Sequence, residues 1–156
     1  MSLIKSISGI RGTIGGRPGE NLTPLDIVKF SAAYGTWIKT VNKSKEKCTV
    51  VIGRDGRMSG AMVKSLVMST LTALGIDVID TDFSTTPTVE MAVVFLKADG
   101  GIILTASHNP KEYNGYKAYW DDGAQMVPPH DKNVIIEVEK IASVDDVKWS
   151  GGEANI

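Results

Sequence analysis

Cysteine, histidine, net charge and long apolar runs are all scarce in this 156-residue chain. The single cysteine, Cys48, cannot close an intramolecular disulfide. Together with His108 and His130 it cannot supply the four nitrogen and sulfur ligands of a structural zinc site. Lys plus Arg number 17 against 18 Asp plus Glu, a net charge of −1. No basic surplus exists to hold a phosphate backbone, so a nucleic-acid partner is not expected. No apolar run approaches the ~18 residues of a spanning helix, so no membrane partner is expected. The first ten residues carry one lysine and no apolar stretch, which argues against a secretory leader and for a cytoplasmic location. Three common signatures are missing: the G-x-x-x-x-G-K-[ST] phosphate loop, the G-x-G-x-x-G dinucleotide turn and the G-x-S-x-G hydrolase elbow.

What is present reads as one soluble domain. The apolar fraction is 42%, the charged fraction 22% and the mean hydropathy −0.01. Ten of the sixteen glycines fall in clusters at residues 9–19, 53–60 and 100–101, beside the expected elements rather than inside them. Thr23, Pro24 and Asp26 form a helix-start signature, with the helix expected over 24–41. Its apolar stripe is Leu25, Val28, Ala32 and Gly35, flanked by Ile27, Phe30, Tyr34 and Ile38. The run 49–52 predicts a buried strand, and 53–57 a turn. Ser59 is expected to cap a second helix bearing Val63, Leu66, Val67, Leu71 and Leu74, which Gly75 stops. A second strand is expected over 76–80, and a third helix from Thr86-Pro87 with Val89, Val93 and Leu96 on one face. A turn over 99–101 and a third strand over 102–104 follow.

This alternation predicts an α/β fold: three layers, α/β/α, around a mixed, mostly parallel sheet with right-handed crossovers. The turn dipeptides Asn114-Gly115 and Asp122-Gly123 bracket a further strand over 116–120, antiparallel or at an edge. A last helix is expected over 129–142 with Val134, Ile135, Val138 and Ile141 inward. The domain is therefore assigned to residues 1–142, and 143–156 to a linker or cut end. That helix and the 116–120 segment are the places expected to expose apolar surface.

Ligands of open parallel sheets bind beyond the carboxyl ends of the strands. Two segments leave such ends: Arg54-Asp55-Gly56-Arg57-Met58-Ser59 and Thr105-Ala106-Ser107-His108-Asn109-Pro110. A third, Ser8-Gly9-Ile10-Arg11-Gly12, could reach the same rim. Ser107 suits a phosphate-accepting hydroxyl, with His108 and Lys117 as proton donors or charges. The plain alternative is a turn in which Ser107 and Asn109 bond the backbone. Arg11, Arg54 and Arg57 suit phosphate oxygens, or are turn arginines that are solvated or paired with Asp55. Asp77, Asp80 and Asp82 read as exposed strand carboxylates rather than a metal site. His130 reads as a surface residue and Cys48 as a partly buried bystander.

The serine segment, together with Ser8–Gly12, Gly53–Gly60 and Tyr113-Asn114-Gly115-Tyr116-Lys117, resembles the α-D-phosphohexomutase family: phosphoglucomutases, phosphomannomutases and phosphoglucosamine mutases. The resemblance covers nearly the whole chain but only the first of the family's four domains. It implies that Ser107 is a phosphoserine passing its phosphoryl group to a hexose phosphate. A bisphosphorylated intermediate then returns the other phosphate, so 1-phospho and 6-phospho sugars interconvert. His108 and Lys117 match catalytic positions, and Arg11 and Asn109 positions at the phosphate. Arg54 and Arg57 are the further phosphate-binding candidates. Mg2+ is implied as cofactor, touching this chain only through a Ser107 phosphate, because the family's D-x-D-x-D-R segment is missing here. The implied partners are the substrate and the remaining mutase domains, and the chain alone is expected to lack turnover. A non-catalytic sugar-phosphate-binding module is the alternative, and a purely structural docking piece a third reading.

Overall fold

In the computed structural model of the chain, residues 1–6, 9–147, 149 and 154–156 are described. Four helices and six strands alternate in the order β1 (Ile4–Ser6), β2 (Gly9–Thr13), α1 (Pro24–Val41), β3 (Thr49–Arg54), α2 (Gly60–Ala73), β4 (Asp77–Phe83), α3 (Thr86–Phe95), β5 (Gly100–Leu104), β6 (Tyr113–Tyr119) and α4 (His130–Lys140). The sheet order is β1-β2-β6-β5-β3-β4. The chain moves outward from β3 to β4 through α2, then back across β3 to β5 through α3. Crossovers of one hand in opposite directions put their helices on opposite faces. Accordingly α1, α2 and α4 cover one face and α3 the other.

The α/β sandwich is as expected, with one correction to its sheet. Four strands (β2, β3, β4 and β5) run one way, yet hydrogen-bonded neighbours are antiparallel at three of the five junctions. The excess comes from β1 and β2, which the residue pattern did not announce because β1 has only three residues and Gly9 and Gly12 interrupt the alternation of β2. Glycines on β2 and β6 let those two strands meet. A Cβ on Gly9 would sit 1.9 Å from the Tyr116 carbonyl oxygen, and one on Gly115 would sit 2.0 Å from the Ile10 carbonyl oxygen. The segment expected at 116–120 is likewise an interior strand, paired with β2 and β5.

Local signals placed the helix starts well. Thr23 and Asp26 form the reciprocal capping box of α1. Its buried face is Ile27, Phe30, Tyr34 and Ile38, while Leu25 is exposed. Beyond the last buried turn of α3, Leu96 is also exposed, with Met91 and Phe95 beside it. Bare apolar side chains therefore gather at α3, and the last helix, α4, exposes Ile136. Tyr116 and Tyr119 are buried, and so are Val138 and Ile141 of α4 and its C-cap.

The tail is not featureless. Val144–Asp146 forms a single 3-10 turn, Val147 is buried, and the Val78 amide donates to the Asn155 carbonyl at 2.8 Å. The Gly151-Gly152 pair lies outside the described residues. Among the described residues no helix is long and apolar enough to cross a membrane.

Candidate active site

Parallel pairing of β3 and β5 sets Arg54 beside Leu104, so the turn after β3 and the loop after β5 leave the same rim. The two segments are tied together there. The Asp55 amide donates to the Leu104 carbonyl at 3.0 Å. The Thr105 hydroxyl donates to Asp55 Oδ2 at 2.7 Å and accepts the Ser107 amide at 2.9 Å. Ser107 is exposed at the loop crest with φ of 56°, in the left-handed region that a residue with a Cβ seldom enters. Strain of this kind persists only where surrounding contacts hold it.

Ser107 borders a cavity of about 270 Å3, whose wall also includes Arg11, Thr105, Ala106, Tyr116 and Lys117. The strands explain the convergence. Lys117 on β6 stands opposite Gly9 of β2 and Ile103 of β5, two positions along from the Arg11–Gly115 pair. Arg11 Nη1 donates to Asn109 Oδ1 at 3.2 Å, which links β2 to the serine loop. The His108 Nδ1 atom lies 3.4 Å from Ser107 Oγ. A serine hydroxyl, an imidazole and two cations thus share one rim. Of the glycine-rich first segment, Ser8 lies outside the described residues.

The other two arginines do something else. Arg57 donates from Nη1 to the Pro110 and Tyr113 carbonyls, each at 2.8 Å. From Nη2 it donates to the Ser107 and Asn109 carbonyls at 2.9 and 2.8 Å. Its Nε faces Asp55 Oδ2 at 3.4 Å. Arg57 is therefore corrected from phosphate ligand to loop anchor. Arg54 donates from Nε to Asp82 at 3.0 Å and stacks 3.8 Å over the Phe83 ring, outside the cavity wall. An acidic neighbour on β4 thus holds its Nε, the ion-paired alternative for a turn arginine, with Asp82 as the partner.

Ser59 has helical backbone angles and its hydroxyl caps nothing in α2. It accepts instead from Nδ2 of buried Asn114 at 2.8 Å, pinning the start of β6 to α2. Asn114 and Thr105 carry these connections with no role expected of them from the sequence, whereas Asp55 was expected to pair with an arginine and does face Arg57. Only their proximity to glycine turns marked the first two.

The acidic trio is spent on ion pairs. Lys64 reaches Asp80 at 2.6 Å and Asp82 at 2.9 Å, and holds the Asp82 carboxyl below its usual range. Backbone donation from Asn155 lowers Asp77 in the same sense. His130 is half-buried and stacked on Trp120 with ring centroids 4.2 Å apart, rather than a plain surface residue. Cys48 is fully buried, which pushes its thiol up. Among the described residues no group of three or more His, Cys, Asp and Glu side chains could hold a metal ion.

Comparison with known proteins places the chain in a family. Residues 3–145 match the family described as phosphoglucomutase/phosphomannomutase, alpha/beta/alpha domain I. A phosphoglucomutase/phosphomannomutase of Thermococcus kodakarensis is 43% identical over 128 residues, which is 81% of this chain and 27% of that protein. A human phosphopentomutase is 34% identical over 141 residues, 85% of this chain and 23% of its own length. The crystal structure of a phosphoglucomutase/phosphomannomutase family protein from Burkholderia thailandensis superposes with a TM-score of 0.74 at 25% identity. That match covers 99% of this chain and 33% of the other. The chain thus spans about a quarter of the length of the curated relatives it matches.

Proposed function

Since the chain belongs to the phosphoglucomutase/phosphomannomutase family as its α/β/α domain I, we propose that it supplies the phosphoryl-carrying serine of a phosphosugar mutase. The observation that carries this reading is the placement of Ser107 at the mouth of a cavity walled by Arg11 and Lys117. Phosphoryl transfer asks a protein mainly for positioning and for cations near the transferring oxygens. Arg11 and Lys117 supply the charge, and Asn109 aims the Arg11 guanidinium.

The step balances as follows. A sugar hydroxyl oxygen attacks the phosphorus on Ser107. The new P–O bond forms as the P–Oγ bond breaks, and the sugar proton leaves as Ser107 Oγ gains one. His108, next to that oxygen, is the proton carrier in this reading. The reverse step, from the other phosphate of the bisphosphorylated hexose, restores phosphoserine. Overall, 1-phospho and 6-phospho hexoses interconvert once the remaining domains of the parent protein complete the site.

Mg2+ is the metal the family resemblance implies, and the residues present do not build its site. A phosphoserine would offer it oxygens from one side only, and among the described residues no carboxylate cluster supplies the further ligands that Mg2+ takes beside phosphate and water.

The test is intact-mass measurement of the chain after incubation with a hexose 1,6-bisphosphate. The expected result is one added phosphoryl group, absent in Ser107→Ala. Saturable binding of the sugar phosphate without covalent phosphate would replace this reading with that of a non-catalytic binding module.

A further inference from the structure

We infer that Arg57 is a positioning residue for Ser107: its guanidinium holds the serine loop by its carbonyls and keeps the Ser107 backbone in the left-handed conformation. The inference deepens the reading of Ser107 as phosphoryl carrier, and its structural half stands without that reading.

A guanidinium has five N–H donors in a fixed planar fork. Here four are directed at the carbonyls of Ser107, Asn109, Pro110 and Tyr113, at 2.8–2.9 Å. The fifth, on Nε, lies 3.4 Å from Asp55 Oδ2 without a hydrogen bond and is buried, so it too is closed to a phosphate oxygen. Its position inside the loop also argues against such a role, since only 11% of its side chain is exposed.

The arrangement explains why the strained backbone is tolerated. Left-handed geometry at a residue with a Cβ is disfavoured, and it persists where surrounding contacts hold it. The Ser107 carbonyl is one of the four that Arg57 binds. On the amide side of the same residue, Thr105 accepts the Ser107 N–H while donating to Asp55. Both peptide groups of Ser107 are therefore tied to the 55–57 turn, the amide through Thr105 and Asp55 and the carbonyl directly by Arg57. Asp55 also orients Arg57, accepting the Arg57 amide on Oδ1 at 3.1 Å. The turn after β3 thus acts as a clamp on the loop after β5.

Lysine is a poor substitute at this position. An ammonium is a point charge with three donors and cannot span four carbonyls spread over residues 107–113.

The test is carried out on the 156-residue chain by NMR and mass measurement, comparing wild type with Arg57→Lys and Arg57→Ala. In wild type the Ser107 Cα and Cβ shifts report a left-handed residue. In both variants they move toward unstructured values, while the amide shifts of Val50 and Ile102 in the central strands stay in place. With a hexose 1,6-bisphosphate as phosphoryl donor, uptake on Ser107 slows by about 100-fold, the scale of cost for a misplaced reacting group. Low millimolar guanidinium partly restores the rate in Arg57→Ala but not in Arg57→Lys. If Arg57→Ala fails to fold, Arg57→Lys carries the comparison. Left-handed Ser107 shifts retained in a folded variant overturn the inference. So does an uptake rate equal to wild type. A wild-type chain that takes up no phosphate sinks the phosphoryl-carrier reading instead, and the Ser107 shifts still decide the clamp.

Discussion

Asp55 and Thr105 lie fifty residues apart in the chain and share a 2.7 Å hydrogen bond at the rim of the sheet. The bond exists because β3 and β5 are parallel neighbours ending level with each other. Through it, the turn after β3 is tied to the loop that bears Ser107. Thr105→Val keeps the shape of the side chain and removes its hydroxyl. It leaves the Ser107 amide without its side-chain acceptor and takes the hydroxyl donor from Asp55 Oδ2. The expected cost is about 1–3 kcal/mol of stability, read as a lower urea midpoint, with slower phosphate uptake on Ser107. A midpoint equal to wild type would show that the link is idle.

Ser59 serves Asn114 rather than the helix it precedes. Ser59→Ala strands a buried amide donor, and the expected loss is about 1–2 kcal/mol. A double-mutant cycle with Asn114→Ala separates this from a capping effect. Coupling above ~0.5 kcal/mol is expected for residues in direct contact, whereas strict additivity would return Ser59 to a capping role.

Gly115 carries the joint between β2 and β6. A methyl group there meets the Ile10 carbonyl at 2.0 Å and the Arg11 Cα at 2.7 Å, both backbone atoms that cannot swing aside. Gly115→Ala is expected to lower stability by about 3 kcal/mol or more. It also separates Arg11 from Lys117. Calorimetry measures the first effect and mass-detected phosphate uptake the second. A variant with native melting temperature contradicts the packing described.

Alkaline pH should unfold the chain through its tyrosines. Burial raises Tyr34 and Tyr116 well above the ordinary value of 10.0, and Tyr119 is pushed up to about 12. Their folded values exceed the unfolded one, so their contribution is full below pH 10 and is lost as pH rises through the folded values. Urea midpoints should therefore fall steadily above pH 10. Phenolate absorbance from these residues should appear together with unfolding. Early ionisation of all the tyrosines in a still-folded chain would contradict their burial.

Much of this molecule was written in short-range chemistry. Thr23, Pro24 and Asp26 announce α1 because a capping box involves neighbours only. Val50, Val51 and Ile52 announce a buried strand because apolar β-branched runs have few other uses. The strand-loop succession placed Ser107 at a carboxyl end of the sheet, and motif resemblance brought Arg11, His108 and Lys117 to it. Strand β2 was hidden, since glycines needed for close backbone approach erase the alternation that reveals a strand, and β1, at three residues, is too short to show one. The division of labour among the arginines was decided only in three dimensions. Arg11, Arg54 and Arg57 have the same side chain and similar glycine-rich surroundings. Which one faces the cavity, which stacks on Phe83 and which grips the serine loop depends on partners 98, 28 and 50–56 residues away. A guanidinium takes its role from the acceptors around it, and strand pairing delivers those acceptors.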